Sequence, residues 1–298
     1  MRVFVTGASG WIGSAVVPEL LAAGHTVVGL ARSDDSAARI TAAGAEPHRG
    51  SLDDLESLRA GAAAADGVIH LGFKHDFSDT PGAWRTERAV VGTFLETLEG
   101  SDRPFLLASG TAGLTPGRVA TEHDESPARG ADSPRGGAEN LARDYASRGV
   151  RSVGLRFSPT VHGQGDHGFI AHLAGIARAK GVAGYVGDGA NTWSAVHRLD
   201  AARLVALALE GSPAGSVVHA VGEQGIPTRE FAEALGRAIG VPAVSIAPED
   251  AAEHFGWIGM FFGADLRASS ALTQERLGWT PVGPTLAEDI AAGYYLGE

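Results

Sequence analysis

The chain contains no cysteine, which excludes disulfide frameworks, thiolate metal sites and cysteine nucleophiles together. Lysine is almost as scarce: Lys74 and Lys180 are the only two. Chemistry that needs an ammonium beside a reacting group therefore has two addresses to draw on. Positive charge as a whole is outnumbered, with 24 Lys and Arg against 35 Asp and Glu and a formal net charge of −11. A surface of that sign repels a phosphate backbone, so no nucleic-acid partner is expected. No apolar run approaches the roughly 18 residues of a membrane span, and Met1-Arg2 leads straight into a short apolar strand without a charged and hydrophobic leader. The expectation is a soluble, cytoplasmic protein with no membrane partner. The histidines show no H-x-x-x-H spacing, and no metal site is expected.

What is present is enough apolar material for a sizeable core: 44% of 298 residues. Its arrangement alternates. Val3-Phe4-Val5, a glycine turn, an apolar-periodic stretch over 11–23 and a second strand over 26–30 form a β-α-β unit. Helices are predicted at 36–43, 52–64 and 82–99, with strands at 67–71 and 105–108. Strands apolar throughout, separated by helical patterns, predict an α/β fold with a Rossmann-like, doubly wound parallel sheet covered on both faces. A polar, Gly- and Pro-rich stretch over 110–135 reads as a loop at the carboxyl edge of the sheet, where such folds bind ligands. The same unit then repeats as a helix over 136–148, a strand over 150–157, a loop over 158–168 and a helix over 169–180.

Past residue 180 the texture changes to short strands (183–186, 194–197, 216–220) among helices (200–210, 228–239, 284–293). This divides the chain into a dinucleotide-binding domain, residues 1–180 with returning segments near 190–222, and a smaller, discontinuous α/β lobe for substrate over 181–298. Aromatics within 247–270 (Phe255, Trp257, Phe261, Phe262) are read as core.

Gly7, Gly10 and Gly13 are spaced G-x-x-G-x-x-G between a strand and a helix. Glycine permits a tight turn and close backbone approach, and the helix start aims amide N–H groups at a pyrophosphate. A protein that selects NAD usually ends its second strand with an acid for the ribose hydroxyls. Here Leu30 is followed by Ala31-Arg32-Ser33. A guanidinium and a hydroxyl stand where a 2′-phosphate would lie, which favours NADP over NAD; Asp34 and Asp35 are placed to shield that arginine.

With Thr6-Gly7-Ala8-Ser9-Gly10-Trp11-Ile12-Gly13 on the page, the sequence resembles the extended branch of the short-chain dehydrogenase/reductase superfamily, which holds nucleotide-sugar epimerases, dehydratases and related reductases. Ser9, Trp11 and Ile12 join the glycines at the phosphates by that resemblance. Gly50-Ser51-Leu52-Asp53 is similar to the segment whose acid contacts adenine, and Val68-Ile69-His70-Leu71-Gly72, continuing into Phe73, is similar to the motif after the fourth strand. Leu107-Ala108-Ser109-Gly110-Thr111 matches the Ser/Thr-bearing fifth strand. In Arg156-Phe157-Ser158-Pro159-Thr160-Val161-His162-Gly163 the resemblance implies that Pro159 flanks the nicotinamide, with His162 where Tyr is common. Val196-His197-Arg198-Leu199-Asp200 resembles a motif of the substrate-side lobe.

The departure is at the chemical centre. Family reductases carry a Tyr with a Lys four residues later, and this chain has Arg135 and Glu139 in those places. Two readings stay open. In one, hydride transfer between NADPH and a small carbonyl or conjugated substrate is retained: Thr111 and Ser109 hold the substrate oxygen, and His75, His162 or His167 supplies the proton. Arg135 would be a poor proton donor and a better anion clamp. In the other, the chain binds NADP without turnover, as a sensor; a nucleotide-sugar-type epimerase or dehydratase is a further alternative. The spacing of Arg135 and Glu139 also fits an exposed i,i+4 helix ion pair. By analogy with the family, the helices over 82–99 and 136–148 would pair two copies as a homodimer.

Overall fold

In the computed structural model, which describes residues 1–74 and 79–296, the glycine turn joins β1 (Arg2–Thr6) to α1 (Gly13–Ala22), and the chain returns through β2 (Thr26–Ala31). Next come α2 (Asp34–Ala42), β3 (Glu46–Arg49), α3 (Leu55–Ala63), β4 (Gly67–His70), α4 (Thr80–Leu98) and β5 (Pro104–Gly110). After a long loop follow α5 (Ala138–Asp144), β6 (Arg151–Phe157), β7 (Thr160–His162), α6 (Phe169–Lys180), β8 (Ala183–Val186) and β9 (Thr192–His197). The remainder is α7 (Arg198–Gly211), β10 (Ser216–Ala220), β11 (Glu223–Pro227), α8 (Thr228–Ile239), β12 (Ala243–Ile246), α9 (Ala251–Phe255), α10 (Gly259–Phe262), α11 (Ala271–Leu277) and α12 (Leu286–Ala291).

Seven strands form one sheet in the order β10-β6-β5-β4-β1-β2-β3. Val3 lies beside Val27 on one flank and Gly67 on the other, both parallel. The strand order reverses at β1, so the turn after it opens at the switch point where doubly wound folds take ligands. This is the expected α/β architecture. Phe4, Leu58, Phe94, Phe105 and Leu107 meet in one core beside the sheet. Burial on both faces explains why β1, β4 and most of β5 read as unbroken apolar runs.

The chain divides into two compact units. The first comprises Met1–Ser109, Glu125–Arg156 and Ala202–Val218; the second comprises Gly110–Asp124, Phe157–Ala201 and His219–Glu298. In the second, β9 pairs with β7 in parallel and β11 antiparallel, and β12 pairs with β8. Its core gathers Trp193, Phe231, Phe255 and Phe262. Phe255 and Phe262 are thus core as expected, while Trp257 keeps 39% of its surface exposed. Among the described residues no helix is long and apolar enough to cross a membrane.

The helix expected over 136–148 is broken. Arg135, Gly136 and Gly137 all take left-handed backbone (φ 52, 61 and 62°), α5 starts only at Ala138, and a short 3-10 turn covers Tyr145–Arg148. The reason lies in packing: a Cβ on Gly136 would sit 2.5 Å from the Trp84 carbonyl on α4, so the turn is pressed flat against that helix.

Candidate dinucleotide-binding site

The glycines of the first turn are there for contact. Gly7 has φ +71°, and a Cβ on it would meet the Gly72 nitrogen at 2.7 Å; a Cβ on Gly13 would meet the Gly7 carbonyl oxygen at 2.0 Å. The Gly10 amide donates to Gly7 O at 2.9 Å and closes the turn. Among the described residues the amides of Ile12 and Gly13 take no acceptor, and α1 has no acid in its first turn. Unpaired donors at the positive end of a helix, with backbone able to approach closely, fit a pyrophosphate.

At the end of β2, Arg32 is exposed. The two acids that follow do not shield it. Asp34 accepts from Arg49 at 2.5 Å and Asp35 pairs with Arg39 at 3.0 Å, while Arg32 takes no ion-pair partner among the described residues. Ser33 caps α2, accepting from the Ser36 amide at 3.2 Å. Ser51 Oγ accepts from the Asp53 amide at 3.2 Å, Leu52 packs on the core, and the Asp53 carboxylate holds the Lys74 ammonium. Neither Arg49 nor Lys74 was marked by a sequence pattern, because both act through partners distant in the chain.

From the glycine turn a chain of polar contacts runs through the interior of the first unit. The Gly72 amide donates to Thr6 Oγ1 at 3.1 Å, and the Thr6 hydroxyl stands 2.6 Å from His70 Nδ1 in a second hydrogen bond. His70 Nε2 then donates to Glu87 Oε2 at 3.2 Å, and Glu87 Oε1 accepts from Arg135 Nη2 at 2.8 Å. The same Nη2 donates to the Ala108 carbonyl at 3.0 Å, and the guanidinium lies 4.3 Å over the Phe73 ring. Burial pushes the Glu87 carboxyl up, but Arg135 and His70 outweigh it and hold it below the ordinary carboxylate range.

The i,i+4 pairing of Arg135 with Glu139 does not occur. Glu139 is buried and accepts from Arg156 Nε at 2.9 Å and Nη2 at 2.5 Å, a bidentate pair in the interior, while Arg135 turns to Glu87. The left-handed residues at 135–137 break the helical phase that the pairing required. Glu87 went unseen in the sequence, although a signal exists: it shares the apolar stripe of Ala83, Val90, Val91 and Phe94, where an acid has to find a buried partner.

The other candidates fall in both units. Ser109 lies half-buried near the end of β5. In the second unit Thr111 is buried, its hydroxyl 3.4 Å from the Phe157 carbonyl and 3.5 Å from Ser194 Oγ. Pro159 is half-buried between β6 and β7. His162 is fully buried, with Nδ1 2.6 Å from Asp289 Oδ2, and burial drives its pKa below the ordinary imidazole value although Asp289 pulls the other way. His167 is exposed on its loop, and its neighbour Asp166, which feels the charge of that imidazole, accepts from the Tyr295 hydroxyl at 3.0 Å. His75 lies outside the described residues. No cluster of His, Asp and Glu suited to a metal occurs among the described residues.

A parallel sheet with its order reversing at β1, and a glycine turn there with unpaired helix-start amides, define a nucleotide-binding protein of the doubly wound type. The model of the NAD dependent epimerase/dehydratase family matches residues 3–221, and the chain belongs to that family. It is 48% identical to an uncharacterized protein of Schizosaccharomyces pombe over 99% of this chain and 100% of the other. It is 28% identical to a 4-hydroxy-2-methyl-3-oxo-4-farnesyl-3,4-dihydroquinoline-1-oxide ketoreductase of Stigmatella aurantiaca, covering 86% and 80% of the two chains. Among solved structures, a dTDP-glucose 4,6-dehydratase double mutant from Streptomyces venezuelae, with NAD bound, superposes with TM-score 0.76 at 21% identity over 99% and 96% of the chains. That last likeness concerns the fold.

Proposed function

We propose that the chain is an NADP-dependent oxidoreductase acting on a small carbonyl or conjugated compound. The observation that carries the reading is the glycine turn, with its two unpaired amides and its backbone too close for any side chain. Gly7, Ser9, Gly10, Trp11, Ile12 and Gly13 would hold the pyrophosphate, Arg32 and Ser33 the 2′-phosphate, and Ser51, Leu52 and Asp53 the adenine. Leu71, Gly72, Phe73 and Pro159 would line the rest. The bound dinucleotide supplies the hydride. On the protein side, Ser109 and Thr111 orient the substrate oxygen, and His75 or His167 serves as the proton source, since His162 is walled in by Asp289. A ketoreductase among the relatives supports the reaction class.

Titration of the purified protein with NADPH and with NADH tests the cofactor assignment. NADPH should bind tighter by roughly ten- to a hundred-fold, the worth of one charge-assisted contact, and Arg32→Ala should abolish the difference. Equal affinities that ignore the substitution overturn it. A second reading, a silent NADP sensor, is favoured by the fate of the Tyr and Lys positions, whose occupants are tied into ion pairs with Glu87 and Arg156. NADPH oxidation across ketones, enones, imines and quinones separates the two: turnover supports the enzyme, and silence alongside tight binding supports the sensor.

A further inference from the structure

The guanidinium of Arg135 uses one of its three nitrogens inside the protein. Nη2 bonds Glu87 Oε1 and the Ala108 carbonyl, and among the described residues the N–H groups of Nε and Nη1 take no acceptor. The side chain is 33% exposed, against 1% for Glu87. Ala108 lies toward the carboxyl end of β5 and Phe73 follows β4, so the free donors stand at the ligand-binding edge of the sheet.

Three independent restraints fix the group there. Its Cζ stands 4.3 Å over the Phe73 ring. Its Nη2 is shared between a carboxylate and a carbonyl. Its backbone sits at φ 52°, a left-handed conformation unfavourable for a residue with a Cβ, in a turn where Arg88 Nη1 grips the Gly136 carbonyl at 2.9 Å. Glycine would relax that position, as it does at the two residues that follow, so the side chain is what the strain sustains. Behind it, His70 is fully buried and bonded on both nitrogens, which leaves Glu87 no room to turn away.

We propose that Arg135 binds a negatively charged oxygen of the substrate, a carboxylate or an enolate, and that Glu87, braced by His70 and Thr6, is the positioning residue that aims it. The proposal deepens the oxidoreductase reading and rests on it for the location of the substrate. With Nη2 committed to Glu87 and Ala108, the spare Nε and Nη1 donors each offer a single charge-assisted hydrogen bond, which suits one oxygen of a carboxylate or the oxygen of an enolate. A neutral ketone offers no charge for it to hold. The substrate class narrows accordingly to small acidic or enolisable carbonyl compounds.

The test uses the purified protein saturated with NADP⁺, with 4-nitrophenolate as a coloured oxyanion and benzoate as its colourless carboxylate competitor. The absorbance of bound nitrophenolate reports affinity, and the NADP⁺ affinity is measured alongside. The wild type should bind the phenolate in preference to the neutral phenol. Arg135→Asn, chosen because asparagine tolerates left-handed backbone, should weaken binding by roughly ten- to a hundred-fold, and Glu87→Gln by about three- to ten-fold, both with NADP⁺ affinity unchanged. Glu87→Asp keeps the charge but shortens its reach, and should fall between wild type and Gln. Unaltered phenolate binding in Arg135→Asn, or none in the wild type, overturns the oxyanion site; an unaffected Glu87→Gln overturns the positioning role. Displacement by benzoate assigns a carboxylate, and its failure an enolate-type oxygen. Loss of NADP⁺ binding in the wild type would instead count against the parent reading, so the two failures are distinguishable.

Discussion

At the scale of single residues, the glycine turn tolerates nothing larger. A methyl group at position 13 would meet the Gly7 carbonyl oxygen at 2.0 Å, backbone against backbone, with no flexible side chain to yield. Gly13→Ala should therefore lose dinucleotide affinity by at least about a hundred-fold and stability by roughly 2–4 kcal/mol, read from titration and urea unfolding. His162 sets a pH dependence. Its folded pKa is depressed below 6.5, so the unfolded chain binds the proton first. Its contribution to stability is complete above about pH 6.5 and is lost as pH falls below that value. Melting temperature should drop as pH is lowered from about 7.5 to 5.5, and His162→Gln should flatten that slope. An unchanged slope in the variant would place the acid sensitivity elsewhere. The glycine spacing was legible because it acts through local geometry. Glu87, Arg49 and Lys74 were not, since their partners Arg135, Asp34 and Asp53 stand at distances in the chain that no periodicity reports.

At the scale of elements, α4 is more than a cover for the sheet. In adjacent turns it presents the Trp84 carbonyl to Gly136, Glu87 to Arg135, and Arg88 to the Gly136 carbonyl. The turn over residues 135–137 is thus moulded on that helix. Gly136→Ala combines a 2.5 Å clash with an unfavourable left-handed alanine, and should cost about 2–4 kcal/mol while also displacing Arg135. Melting and oxyanion titration of this variant should fall together; normal binding in a destabilised variant would separate the turn from the side chain it carries. Two strands that escaped sequence reading share a cause. The strand β3 is Glu-Pro-His-Arg on the sheet edge, β11 is short and polar, and neither offers the apolar signature by which β1 or β4 is recognised. The helix read over 136–148 failed for another reason: its composition is helical, and the approach of Gly136 to α4 that breaks it is a tertiary fact.

At the scale of the whole molecule, the parallel sheet and its reversal at β1 follow from alternation in the sequence, because strands buried on both faces have to be apolar throughout. Binding should then report on the fold as a unit. A dinucleotide held only by the native chain stabilises it by about 2.7 kcal/mol at a hundred times its dissociation constant, which for a chain of this size amounts to a rise of several degrees in melting temperature. NADPH should give a larger rise than NADH at equal concentration, and the gap should close in Arg32→Ala.

The buried pairing of Glu139 with Arg156 also limits what position 139 can become. A lysine introduced at position 139 would set an ammonium against the buried Arg156 guanidinium, so a tyrosine-lysine pair at 135 and 139 requires Arg156 to be replaced as well.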